Sequence, residues 1–325
     1  MKANVVRIHA HGAPQVLALD TVELGDPGPG EVLLRHTAIG LNYQDVYHRS
    51  GYYPLQMPSG IGTEAAGMVE KLGGGVAGFA IGDRVCYAGG APGAYADLRN
   101  VPADRLVKIP SGISDETAAA VMLKGMTVEY LLNRCYPVKA GEAVLFYAAS
   151  GGVGLIAGQW GRHLGARMIG VAGGAAKCAL AKANGYAEVI DRSGEDIAAR
   201  VREITGGRGV PVAYDSVGKA TFDATLAALA PRGYFVSFGT TTGSPPAVEA
   251  GTLQKLGSLY FTRPTLVTYT AARADLEACA AAVFGLIEKG ILKVTVNHRY
   301  ALGAVATAHA DLESGRTTGS SVIIP

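Results

Sequence analysis

Ala148-Ala149-Ser150-Gly151-Gly152-Val153-Gly154 is the stretch that decides how this chain is read. A short apolar, β-favouring run, Ala143 to Tyr147, leads into it, and a helix-compatible segment from Gly152 to His163 follows. Strand, glycine-rich turn, helix is the arrangement that lays a pyrophosphate against bare amides at a helix N-terminus. Set against Gly-x-Gly-x-x-Gly, the loop begins at Ala149, which replaces the first glycine. An imperfect copy is weak alone, and an ordinary glycine-rich turn is the rival reading; the flanking elements strengthen it. Ser150, Gly151, Gly152 and Val153 are therefore predicted to bind a dinucleotide.

Working outward, strand and helix patterns alternate. Arg167–Ala172, Glu188–Ile190, Val212–Asp215, Tyr234–Phe238 and Ser258–Thr262 read as strands, with helices near 175–184, 194–204 and 219–229. Such alternation predicts a doubly wound parallel sheet, a Rossmann domain, here placed at 123–265. Val217-Gly218 and Phe238-Gly239-Thr240-Thr241 follow strands at their carboxyl ends, where open sheets bind ligands.

The end of the second strand bears on which cofactor binds. A carboxylate there usually accepts from a ribose 2′-hydroxyl. This chain instead reads Val171-Ala172-Gly173-Gly174-Ala175-Ala176-Lys177. An ammonium attracts a 2′-phosphate that a carboxylate would repel. NADPH is predicted, with Gly173 and Lys177 at the adenosine end and Arg192 as a second cation. Solvated surface charges are the plainer reading of both cations.

Composition narrows the class. The 325 residues suit two domains, and 29 Lys and Arg against 27 Asp and Glu give a net charge of +2, so nucleic acid is not an expected partner. Cys86, Cys135, Cys178 and Cys279 lack CxxC spacing and read as buried free thiols. No signal peptide or membrane-spanning run is read, which predicts a cytoplasmic protein. Residues 1–122 are β-rich with Gly/Pro turns. Residues 266–325 hold one long helix, Ala274–Lys289, and short strands, and are expected to return to the first domain. Ser114 to Tyr136 reads as helical.

Gly60-Ile61-Gly62-Thr63-Glu64-Ala65-Ala66-Gly67 resembles the Gly-His-Glu motif of the medium-chain dehydrogenase/reductase superfamily. Thr63 stands where zinc alcohol dehydrogenases carry a ligand His. Asn42-Tyr43-Gln44-Asp45 stands where they carry a ligand Cys, and the four-cysteine lobe is absent. A zinc site is not expected from such residues. Asn42 to Tyr47, Arg49 to Pro54, Leu123 to Thr127, Tyr214 to Gly218, Ser237 to Gly239 and Thr262 to Pro264 resemble the zinc-free quinone oxidoreductase branch over essentially the full chain.

That resemblance implies a β-rich GroES-like catalytic domain beside the Rossmann domain, a homodimer, and metal-free reduction of a small-molecule quinone by NADPH. It implies that Asn42, Tyr47, Lys124, Thr127 and Arg263 surround the nicotinamide and its phosphates, with Tyr53 lining the acceptor pocket. Ser216, Val217, Phe238, Gly239 and Thr241 would complete the cofactor site, with Arg316 and Gly319 closing over it. Plainer readings compete: Asn42 as a helix cap, Tyr47 as core, Tyr53 as a loop anchor. Asp45 reads as a surface charge in preference to a proton relay, and the seven histidines as surface or core residues. Two rivals stand beside quinone reduction: reduction of an activated C=C in an enone or enoyl thioester, and a non-catalytic NADPH-binding protein, structural or RNA-associated.

Overall fold

The structure, a computed structural model, describes residues 1–325. The chain forms two compact units: residues 1–126 with 269–289 and 294–325, and residues 127–268 with 290–293.

The second unit is built on a six-stranded parallel sheet. From one edge to the other the strands are Glu188–Asp191, Arg167–Ala172, Ala143–Phe146, Val210–Asp215, Leu229–Ser237 and Tyr260–Thr262. In chain order this is 3-2-1-4-5-6, the doubly wound order. The direction of winding reverses between Ala143–Phe146 and Val210–Asp215, which opens a crevice beyond their carboxyl ends. Its core packs Leu145, Tyr147, Ile169, Val171, Ala213 and Phe235. Both faces of a parallel sheet are covered, so its strands read as continuous apolar runs rather than alternating ones.

The helix Gly152–His163 starts directly from the glycine loop, with Gly151 as its N-cap. Gly154 marks where helix and strand come closest. A Cβ there would lie 2.3 Å from the Ala148 carbonyl oxygen and 2.7 Å from Ala149 backbone carbon. The positive φ of the loop falls on Ala148, at 52°, one residue before the position that replaces the motif's first glycine.

The first unit is β-rich. Its larger sheet runs Val296–Ala301, Ser320–Ile324, Glu31–Gly40, Glu64–Leu72, Arg84–Ala88 and Val107–Lys108, with Leu98–Pro102 also paired to Glu31–Gly40. Ala18–Glu23, Lys2–Ile8 and Ser59–Gly60 form a three-stranded sheet. The C-terminal strand pairs Val322 with Gly40 and Ile323 with Ile39, so both chain ends share one core.

The segment expected as one helix over Ser114–Tyr136 differs. An α-helix covers Asp115–Glu129, and a π-type turn follows over Tyr130–Cys135. The wider turn has a local cause. The Tyr214 hydroxyl lies 2.9 Å from the Leu131 carbonyl oxygen and 3.2 Å from that of Tyr136, where it competes with the regular ladder. Cys86 and Cys279 are buried, whereas Cys135 and Cys178 are half-buried.

Gly154→Ala forces the Ala148 carbonyl and the helix apart. A loss of about 1–3 kcal/mol is expected, read as a lower thermal midpoint than wild type.

Candidate functional site

In the second unit, the predicted cofactor residues gather along the carboxyl edge of the sheet. The amides of Gly152, Val153 and Gly154 open the first helical turn and have no partner within the helix. Ser150 is buried beside them. Ser216 and Val217 follow Val210–Asp215. They are tied to the next loop by Thr241 N–H to the Ser216 carbonyl at 3.2 Å and Thr242 N–H to the Val217 carbonyl at 2.9 Å. Phe238 packs on Phe146 with ring centroids 5.4 Å apart, and Gly239 lies against Ser216. Arg263 donates to the Ser237 carbonyl at 2.9 Å.

Asp215 organises this edge. It is fully buried; its Oδ1 accepts from Val217 N–H at 2.6 Å and Gly218 N–H at 3.0 Å. The hydroxyls of Thr221 and Thr225 reach Oδ2 at 2.6 and 2.9 Å. Multiple donors offset the cost of burying the charge.

At the end of the second strand, a Cβ on Gly173 would meet the Arg192 guanidinium at 3.3 Å. Arg192 therefore borders the Gly173 backbone, and Lys177 lies in the first turns of the following helix, Ala175–Ala183. Asp191 holds the loop by accepting from Gly174 N–H at 2.9 Å and from Ser193. A glycine cradle, unspent helix amides and two neighbouring cations fit a phosphorylated dinucleotide.

In the first unit, a second constellation forms around Glu64. Asn42 is the N-cap of helix Tyr43–Ser50, and its main-chain N–H donates to Asp45 Oδ2 at 2.9 Å. Its side-chain amide is used elsewhere, donating to Glu64 Oε2 at 2.7 Å. Leu123 N–H donates to Glu64 Oε1 at 2.6 Å, and Lys124 Nζ stands 3.6 Å from Oε2. That is an ion pair but too long for a hydrogen bond. Lys124 is only 5 % exposed, and its Nζ has no hydrogen-bond partner. Burial pushes the Glu64 carboxyl above its usual range, opposed by Lys124, Asn42 and Leu123. Gly40 makes room for this: a Cβ there would lie 2.0 Å from Glu64 Oε2 and 2.4 Å from the Ala119 carbonyl.

Tyr47 is buried in a ring cluster, with centroids of Tyr43, Tyr52 and Tyr53 at 5.2, 5.1 and 5.2 Å. Tyr53 is half-buried, and Tyr52 is 40 % exposed. Tyr43 and Tyr52 went unassigned in the sequence, although helical spacing from Tyr43 to Tyr47 places both on one face.

Asp45 is not a surface charge. It is fully buried, and the Tyr95 hydroxyl donates to its Oδ2 at 2.9 Å. Arg49, beside it on the helix, is buried too and pairs with Glu313 at 2.6 Å. The sequence reading missed Glu64 as a hub, although the quoted Gly60–Gly67 motif contains it. Thr127 is buried at the start of the second unit. Arg316 is exposed and pairs with Asp311 at 2.5 Å, and Gly319 has φ 61°.

Burial raises the Asp45 carboxyl from 3.8 to about 7, against hydrogen bonds from Asn42 and Tyr95 that favour its charge. Between those two values the native state binds more protons than the unfolded chain. This group's contribution to stability is therefore full below 3.8 and is lost as pH rises through about 7. Urea midpoints of wild type and Asp45→Asn, compared across this window, are expected to move in the variant's favour as pH rises.

Residues 28–111 match the alcohol dehydrogenase GroES-like domain, and residues 152–283 match the zinc-binding dehydrogenase family. The chain is 48% identical over 324 residues to a quinone oxidoreductase of Pseudomonas aeruginosa, covering 99% of this chain and all of the relative. It is 41% identical to a 2-haloacrylate reductase of a Burkholderia species, covering 98% of each. Its structure matches that of Escherichia coli quinone oxidoreductase complexed with NADPH, with a TM-score of 0.98 and 46% identity, over 99% of this chain and all of the other. With near-complete coverage on both sides, the chain belongs to the quinone oxidoreductase branch of the medium-chain dehydrogenase/reductase family.

Proposed function

We propose that this protein is an NADPH-dependent quinone reductase. The observation that carries it is the set of free helix amides at the Gly151–Gly154 turn, suited to a pyrophosphate; the other unit holds a buried donor set, Asn42 and Lys124. The chemistry supplied by bound NADPH is hydride donation to an electron-poor acceptor.

The protein's own residues bind and orient. Amides of Gly152 and Val153 receive the pyrophosphate, Ser150 and Gly151 shape the loop, and Gly173 lets the backbone approach. Lys177 and Arg192 take the 2′-phosphate. Ser216, Val217, Phe238, Gly239 and Thr241 would line the cofactor's path along the sheet edge, and Thr127 and Arg263 would hold its nicotinamide end. Asn42 spends one amide hydrogen on Glu64 and presents the other, while Lys124 presents an ammonium without a hydrogen-bond acceptor. Such donors stabilise negative charge developing on an acceptor oxygen. Tyr47 and Tyr53 offer flat rings to a planar acceptor.

A second reading is reduction of an activated C=C bond, favoured by the likeness to a 2-haloacrylate reductase. No helix is long and apolar enough to cross a membrane, and a cytoplasmic location is our reading. Tyr260–Thr262 is a terminal strand of the parallel sheet, with Tyr260, Leu256 and Val267 exposed. An unprotected edge with apolar neighbours invites pairing with a second copy, hence a homodimer.

A panel of quinones, enones and 2-haloacrylate, followed by NADPH oxidation, tests the assignment. Quinones are expected to turn over fastest. Turnover of enones without quinones would establish the second reading, and tight NADPH binding without any turnover a non-catalytic role. Lys177→Ala is expected to raise KM for NADPH about tenfold while sparing NADH, the effect of about 1.4 kcal/mol. Light scattering is expected to show a dimer for wild type and a monomer for Tyr260→Lys.

A further inference from the structure

Asp45, Tyr95 and His309 form a buried chain that the reaction scheme above does not use. Asp45 Oδ2 accepts from Asn42 N–H and from the Tyr95 hydroxyl, each at 2.9 Å. The same phenol oxygen lies 3.1 Å from His309 Nε2. Asp45 Oδ1 and His309 Nδ1 are buried without partners. We propose that Asp45 is a positioning residue whose charge state sets how firmly Asn42 is held, with Tyr95 and His309 accommodating both states. The proposal rests on the acceptor-binding role given to Asn42.

A phenol has one proton to donate. With Asp45 ionised, Tyr95 donates to the carboxylate, and His309 presents an Nε2–H to the phenol oxygen. With a proton on Asp45 Oδ2, the carboxyl donates to Tyr95, and Tyr95 donates to a bare His309 Nε2. The chain is satisfied either way, through a change of tautomer at His309. Asn42 feels the difference, because its N–H meets a full negative charge only in the first state. A hydrogen bond to a charged acceptor is about twice as strong as a neutral one.

The surroundings place the change on Asp45. Burial, and Arg49 nearby, push the His309 imidazole down to about 3, so it stays neutral. Burial raises Asp45 to about 7; Glu64 adds to this and Lys124 opposes it. Arg49 is itself compensated by Glu313. The helix Tyr43–Ser50 also carries His48, which burial keeps low, and Tyr43, which burial raises.

The test is the pH profile of kcat for quinone reduction in wild type, Asp45→Asn, Tyr95→Phe and Asn42→Ala. Wild type is expected to lose turnover in one proton step as pH falls through neutrality. Asp45→Asn keeps the shape but not the charge. Its profile is expected to be flat and about tenfold below wild type above neutrality, with NADPH affinity within about twofold. Tyr95→Phe removes a donor that favours the ionised form, so its step moves to higher pH. In the ligand-free protein, a protonated-carboxyl infrared band that vanishes through neutrality is expected in wild type, and that component is expected to be missing from Asp45→Asn. An unchanged pH step in Asp45→Asn, or no such band in wild type, overturns the proposal. Wild-type turnover in Asn42→Ala would instead remove the role of Asn42 on which it stands.

Discussion

The first unit depends on burying the carboxylate of Glu64. A charge without solvent is tolerated only where donors surround it. Here they come from three places in the sequence: the Asn42 side chain, the Leu123 main chain and the Lys124 ammonium. Removing one partner of such a buried pair costs about 3–5 kcal/mol, because the other charge is stranded. One carboxylate thus fixes the start of one helix and the path of another, and it holds two groups suited to an acceptor oxygen. The arrangement is specific rather than cheap, since an apolar cluster of equal volume would be as stable.

The second unit repeats the device with different partners. Asp215 ends a parallel strand and gathers two main-chain amides and two threonine hydroxyls. It has no cation beside it. Its donors turn the chain sharply and present Ser216 and Val217 at the sheet's carboxyl edge. In both units, then, a loop of the candidate site is shaped by a buried carboxylate. Rigid scaffolding of this kind is what lets loop residues hold a productive geometry.

Local pattern carried much of this into the sequence. Alternating apolar runs and helices foretold the parallel sheet, because both periods are short. The glycine loop was legible for the same reason, as was the absence of a carboxylate after Ala172. Lys124 stood out because an ammonium in an Ala- and Met-rich helix has few surface readings, and it is buried. The links around Asp45 had no such signature. Tyr95 lies 50 residues from Asp45, and His309 lies 214 residues from Tyr95. Among Gln44, His48 and Arg49, Asp45 looked like part of a solvated face; only tertiary contacts show that this polar helix is buried. The π-type turn after Glu129 was hidden likewise, because its cause, Tyr214, lies far along the chain.

Gly40 draws these points into a steric coupling. Its missing side chain is the space that Glu64 occupies. Any larger residue at position 40 collides with that carboxylate and with the Ala119 carbonyl, whereas a smaller residue at position 64 leaves Lys124 stranded beside an empty space. Space at position 40 and charge at position 64 are therefore coupled. A redesign that enlarges residue 40 has to shorten residue 64 in the same step and give Lys124 another partner.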